Sequence, residues 1–318
     1  MTGSTQTARA IAAWRSPEPS PGRVRRRRWT RAARWGGWLY VLPAMLMYGF
    51  FVLRPLVLTF QYSLYHWNGI GVARWAGLDN YVTVFTDPDL LKIIANAFVL
   101  IIFFSVIPVG LGLLVASLVR RITASTFGTV VRTILFLPQV IPLVAAGIAW
   151  SWLLSSTGLV NQVLRGVGLG GAARAWLGDF DTALPSVGVI GAWVLLGLCT
   201  ILLVTGMSKI DTSLYEAARI DGAGPWREFL SVTLPGLRQE IGVCLTVTVI
   251  AALASFDIVY IATSGGPGRQ TTVPGLEIYR LAFAHRQVGL ASALAVVLML
   301  VVLACVAPIQ RLTREEKQ

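Results

Sequence analysis

Lysine is nearly missing from this chain. Its 318 residues hold only Lys92, Lys209 and Lys317, and none follows glycine in a loop that could cradle phosphates. Nucleotide hydrolysis by the usual route is therefore closed to it. Histidine is scarcer still: His66 and His285 lie in different stretches between apolar runs and give no support to a metal site or proton relay. Cys199, Cys244 and Cys305 each fall inside an apolar run, with no partner at metal-ligand spacing. They read as small hydrophobes, without disulfide or thiol chemistry. The 15 acids are scattered and form no Asp/His or Asp-x-Asp cluster, which weighs against a membrane-embedded phosphatase or glycosyltransferase. A secondary carrier would want ionisable groups at the membrane midplane or broken helices in paired halves, and neither is visible. No catalytic residue and no metal ligand is assigned.

What fills the chain instead is apolar sequence. Hydrophobic residues make up 55% and charged residues 13%, with mean hydropathy +0.67. Apolar runs recur at Trp35–Phe60 and at about 94–119, 130–154, 184–207, 238–262 and 288–309. Runs of 18 or more cross a hydrocarbon core of roughly 30 Å as helices. The reading is an all-α polytopic membrane protein with six transmembrane helices over 35–310. A basic tail, 1–34, precedes them and reads as disordered; a short tail, 311–318, follows. The net charge of +12 could suggest nucleic acid, but nine arginines precede the first run, where a basic flank holds that end in the cytoplasm. Nineteen of the 27 Lys and Arg fall on the side that six crossings from a cytoplasmic start assign to the cytoplasm. Both termini are expected there.

Between the fourth and fifth runs lies a polar island, 211–235. It contains Glu216-Ala217-Ala218-Arg219-Ile220-Asp221-Gly222-Ala223 and closes with Val232-Thr233-Leu234-Pro235. Ser213 and Glu216 stand at capping-box spacing, with Asp211 as a competing N-cap. A helix over 212–221 would align Leu214, Ala217, Ala218 and Asp221 on one face, and Tyr215 and Arg219 on another. The two alanines let a neighbouring surface come close to the backbone. Gly222 is placed for a left-handed C-cap and Pro225 for the first turn of a second helix, which should stop before Leu234-Pro235. Such a bracket could move as one body, or it could merely connect two spans.

The spacing Glu-Ala-Ala, three residues, Gly, nine residues, then Val-x-Leu-Pro resembles the signature loop of permease subunits in binding-protein-dependent ABC importers. Leu137-Pro138-Gln139-Val140-Ile141-Pro142, Phe256-Asp257-Ile258-Val259-Tyr260 and Gly289-Leu290-Ala291-Ser292-Ala293 support the likeness. It covers most of the chain from about residue 36. The maltose-type and glycerol-3-phosphate-type larger permease subunits of the carbohydrate-uptake class are similar, although this chain lacks the large inserted external domain of the maltose representative. The resemblance implies the type I ABC importer permease fold in the bacterial plasma membrane. It also implies a second permease subunit, two ATPase subunits that carry ATP and Mg, and an extracellular sugar-binding protein. Glu216, Ala217, Ala218, Asp221, Gly222, Leu234 and Pro235 would then couple this chain to the ATPase. The chain itself would bind no cofactor. A permease for a non-sugar solute is the alternative.

Aromatic platforms with hydroxyl partners suit a sugar path, and Trp150, Trp152, Trp193, Thr200, Thr246, Thr248 and Ser255 offer them. Tryptophan also marks membrane interfaces, and Ser or Thr often bonds its own helix. Asp257, deep in the fifth run, counts to its outer boundary and reads as a gate or interface residue.

Overall fold

The computed structural model describes residues 31–120 and 126–313. Most of the expected tail, the connection at 121–125 and the last five residues lie outside the described residues. The chain divides into two units at Pro55–Leu56. In the first, α1 (Arg31–Tyr48) begins four residues before Trp35 and passes through a π-helical turn, Gly49–Leu53. From Tyr40 to Leu53 its large apolar side chains are exposed within the chain, as lipid-facing surface is. The Arg54 guanidinium lies 5.1 Å from the Phe50 ring centre, a cation–π contact that accompanies its position among apolar residues.

The division falls within α2 (Arg54–Tyr62), and the second unit, from Leu56, continues into a small antiparallel ribbon of β1 (Tyr65–His66) and β2 (Arg74–Trp75). After α3 (Asp79–Thr86) the second apolar run starts at Pro88 rather than at 94. Asp87 caps it by accepting the Asp89 amide at 2.8 Å, and Pro88 supplies a first-turn residue that needs no amide partner. The run is α4 (Pro88–Ile101), a π-helical turn at Ile102–Val106, and α5 (Ile107–Arg120).

The third run is not one helix. It is α6 (Thr126–Val140) and α7 (Leu143–Leu153), parted at Ile141–Pro142. Pro142 has no N–H and pushes Ile141 out of the helical region. Beyond α8 (Leu159–Gly166), α9 (Ala183–Met207) is the fourth run, unbroken as expected. The polar island forms α10 (Thr212–Ile220), α11 (Pro225–Glu228), a π-helical turn at Phe229–Thr233, and α12 (Leu234–Gly236). The fifth run is also divided, into α13 (Arg238–Leu253) and α14 (Asp257–Ala262). After α15 (Pro274–Tyr279) and a π-helical turn at Arg280–Ala284, α16 (Val288–Thr313) is the sixth. Among the described residues four helices are long and apolar enough to cross a membrane, or up to five if a bent pair is counted as one.

Small residues decide how closely the helices of the second unit pack. A Cβ at Gly188 would fall 2.4 Å from Phe103, and one at Gly191 2.0 Å from Phe104, so α9 admits both rings against its backbone. A Cβ at Gly112 of α5 would fall 3.2–3.3 Å from Cys199, Thr200 and Leu203 of α9. Apolar lipid gives spans no hydrophobic reason to associate, so close backbone approach supplies the attraction.

Candidate functional site

Asp211 is the cap that α10 uses: its carboxylate accepts the Ser213 amide at 2.9 Å. That amide holds the Asp211 carboxyl below its ordinary range. The helix therefore starts at Thr212. Glu216 falls at the fifth helical position, beyond the third that a capping box requires, and it is exposed. At the other end Gly222 takes φ +76. Its amide bonds to Arg219 O at 3.0 Å, and the Ala223 amide bonds to Ala218 O at 2.9 Å. This is the double closure of a helix that turns back on itself through glycine. Pro225 opens the second arm.

The two faces of α10 differ as their spacing predicts. Tyr215 is 3% exposed, and its hydroxyl lies 3.2 Å from Thr233 Oγ1 on the second arm. Arg219 donates to the buried Glu228 carboxylate at 3.0 Å, and this partner raises the guanidinium pKa. Leu214, Glu216, Ala217 and Asp221 are exposed, with Ala218 half-buried. At the corner Ile220 and Trp226 also stand clear of the chain, 87% and 72% exposed.

The second arm runs further than its proline suggests. Leu234-Pro235 lies inside it and the chain turns at Leu237, where the helices on either side bend by 70°. The π-helical turn supplies the reason. Its last bond joins the Leu234 amide to Phe229 O, so the ladder is already shifted when the chain reaches Pro235, which has no amide to place. The base of the bracket is tied across. Lys209 Nζ meets Glu240 Oε1 at 2.9 Å, and a Cβ at Gly236 would come within 2.8 Å of Ile210. The sequence reading missed both Glu228 and the Lys209–Glu240 pair, whose partners are separated by 9 and 31 residues.

The residues considered for a solute path do not converge as a group. Trp150 and Trp193 meet edge to face with centroids 5.5 Å apart, whereas Trp152 is 75% exposed and joins neither. Thr200 and Thr248 are buried and donate to their own helices, at Leu196 O and Cys244 O, both 2.8 Å away. Thr246 is half-buried. Ser255 and Asp257 do come together. They line a cavity of about 210 Å³ where α13 breaks, with Phe104, Leu195, Ile250 and Phe256. Ser255 is 8% exposed, and its hydroxyl finds no hydrogen-bond partner among the described residues.

A larger concavity of about 670 Å³ lies where β1 and its loop meet the start of α16. His66, Trp67, Asn68, Arg74 and Arg286 line it, and His66 Nε2 sits 2.9 Å from Asp79. Its loop is pinned from within: Asn68 Oδ1 accepts the Ile70 and Gly71 amides, and Trp67 donates to Gly71 O. Arg286 has φ +54, a conformation that costs a non-glycine residue energy. The 26 residues of α16 carry the chain ~39 Å from this concavity to Thr313, which packs on Gly242 near the bracket's base. No sequence pattern pointed to this site.

Residues 108–313 match the family described as the inner membrane component of binding-protein-dependent transport systems. The diacetylchitobiose uptake system permease of Streptomyces coelicolor is 34% identical over 312 residues, covering 92% of this chain and 87% of its own. A probable ABC transporter permease of Bacillus subtilis is 34% identical over 269 residues, covering 84% and 92%. A chain from the crystal structure of a bacterial alginate ABC transporter, in complex with an alginate pentasaccharide-bound periplasmic protein, superposes with a TM-score of 0.74. It is 25% identical over 91% of this chain and 97% of its own. The fold is that of a type I ABC permease. By the extent of the match and by the signature loop built between its fourth and fifth apolar runs, the chain belongs to the inner membrane components of binding-protein-dependent transport systems.

Proposed function

We propose that this chain is a pore-forming subunit of an ATP-driven importer that takes a sugar, an oligosaccharide or related polyol, into the cell. The carrying observation is the bracket. It is capped at Asp211, closed at Gly222, tied by Arg219–Glu228 and anchored at Lys209–Glu240, and it leaves Leu214, Glu216, Ala217 and Asp221 exposed. A body built this way passes on displacement and performs no chemistry. ATP and Mg belong to a separate ATPase subunit, whose surface would receive Glu216, Ala217, Ala218, Asp221 and Gly222. Its ATP-driven closure would switch the pore between inward-facing and outward-facing states by favouring one of them.

The remaining arrangement follows the same reading. Six spans cover 35–310, with both broken runs crossing, and the termini lie in the cytoplasm. A second permease subunit completes the pore. The arginine-lined concavity opens on the outer face and receives the extracellular binding protein. Relatives whose names refer to diacetylchitobiose and alginate support a saccharide as cargo. The test is uptake of radiolabelled lactose, maltotriose and N,N′-diacetylchitobiose by cells with and without the gene. Loss of a saccharide is expected; loss of amino acid, phosphate or metal uptake with sugars unaffected would overturn the sugar reading.

A further inference from the structure

Three glycines stand at the foot of the bracket, and each admits a side chain from another segment against its backbone. A Cβ on Gly206, near the end of α9, would fall 2.5 Å from Glu240, and one on Gly236, at the end of α12, 2.8 Å from Ile210. Both partners belong to the bracket's own flanks. The third partner comes from far along the chain. A Cβ on Gly242, in α13, would fall 2.3 Å from Thr313 Oγ1 and 2.5 Å from Thr313 Cβ. Thr313 is the last described residue of α16, and its hydroxyl donates to Ile309 O at 2.8 Å, which holds its rotamer. Further back, Val306 shares a buried cluster with Val249 and Leu253 of α13, and Cys305 and Ile309 pack against it. The end of α16 therefore follows α13 to the turns next to the corner at Leu237, where the helices bend by 70°.

We propose that Thr313, seated on Gly242, is a positioning residue for the bracket: the end of α16 sets the direction in which α13 leaves the corner, and so the angle at which the bracket meets the ATPase. The proposal rests on the coupling reading above and extends it to a residue outside 211–235. The other tie at this point, Lys209–Glu240, ends on an exposed lysine, and water weakens such a pair. The seat on Gly242 has no such slack. Thr313 is β-branched and short, so it cannot swing aside as a long side chain would. Carbon atoms in ordinary contact lie about 3.5–4.0 Å apart, so a methyl on Gly242 has to part the two helices by about 1 Å. Packed helices shift as bodies, and α13 carries that displacement to the corner.

The test uses the assembled importer with its binding protein in proteoliposomes, reading ATP hydrolysis and uptake of radiolabelled lactose, maltotriose and N,N′-diacetylchitobiose together. Gly242→Ala should lower the solute moved per ATP about fivefold, the size of a modest coupling free energy. Thr313→Gly empties the seat without adding an atom and should lower the same ratio. Thr313→Ser keeps the Cβ and the hydroxyl and should match wild type. The double variant Gly242→Ala, Thr313→Gly places the methyl in the space the threonine leaves, and should recover most of the ratio. A merely structural contact would lower membrane level, hydrolysis and uptake together and leave the ratio alone, which would overturn the positioning role. So would an unchanged ratio in both single variants, or a double variant no better than Gly242→Ala. If Gly242→Ala fails to accumulate, Thr313→Gly decides alone. If the wild-type importer hydrolyses ATP yet moves no saccharide, the coupling reading fails and this role with it; if wild type couples the two and the variants match it, only this role fails.

Discussion

Gly222 has φ +76, and a Cβ built there meets no atom within 4 Å. The demand for glycine at this position therefore comes from the backbone alone. Alanine should cost about 1 kcal/mol and valine nearer 3 kcal/mol, small against the packing of a membrane domain. Gly222→Val should therefore accumulate in the membrane normally. Its Schellman closure would shift, turning the exposed face of α10 away from the ATPase and lowering association and transport. Asparagine tolerates the left-handed region, so Gly222→Asn should retain most transport. Equal transport by the valine and asparagine variants, at matched expression, would remove the coupling role. Asp211 and Glu216 make a second pair. The carboxyl of Asp211 is held below its ordinary range by the Ser213 amide, so its capping contribution is present above that range and is lost as pH falls through it. Asp211→Asn keeps an acceptor and should remove this acid sensitivity, read as protease cleavage of the loop below the usual carboxylate range. Glu216→Ala removes only a charge from an exposed face, because Asp211 holds the cap. Its effect should be confined to ATPase association, without added cleavage.

At the scale of elements, the bracket depends on contacts between its arms. Tyr215 reaches Thr233 and Arg219 reaches Glu228, while Lys209–Glu240 closes the base. Losing the buried Tyr215–Thr233 contact should cost about 0.5–1.5 kcal/mol. The exposed Arg219 end of the second contact is screened by water and contributes less. A Tyr215→Phe, Arg219→Ala double variant should therefore fold and bind the ATPase, yet yield when pushed. The expected result is ATP hydrolysis near wild type with several-fold less solute moved per ATP, measured together in proteoliposomes. An unchanged ratio would mean that the arms need no bracing. These contacts mark where the sequence stops being legible. The stop at Gly222 and the start at Pro225 are local chemistry, and spacing alone placed them. The two faces of α10 followed from helical period. The corner did not: Leu234-Pro235 reads as an end, but the π-helical turn before it carries the helix on to Leu237. Nor did the break at Ala254–Phe256, which contains neither glycine nor proline. Cys199 and Cys244, 45 residues apart in sequence, meet side chain to side chain only because α9 and α13 pack together.

For the whole molecule the open quantity is how often the chain crosses the membrane. Tyr40–Tyr62, Pro88–Leu118, Ala183–Met207 and Val288–Thr313 are each long enough. The third run is different. Its pieces of 15 and 11 residues reach only ~22 and ~16 Å alone, short of a core of ~30 Å. Joined end to end they suffice, and the apolar composition of both argues that they cross together. The fifth run poses the same question, with 16 residues in α13 and six in α14. Parity separates the possibilities. If both broken runs cross, reporter fusions after Gly71 and Gly166 fall outside the cell, and fusions after Gly224 and Gln318 fall inside. If the third run only dips into the membrane, Gly166 and Gly224 exchange sides, and the signature loop is stranded away from any ATPase. If only the fifth fails to cross, Gly224 remains inside and Gln318 moves out. Alkaline phosphatase activity at Gly71 and Gly166, with fluorescence of a green fluorescent protein fused at Gly224 and Gln318, is the expected outcome. Because ATP is available only inside, a signature loop reported outside would overturn both the six-span arrangement and the function built on it.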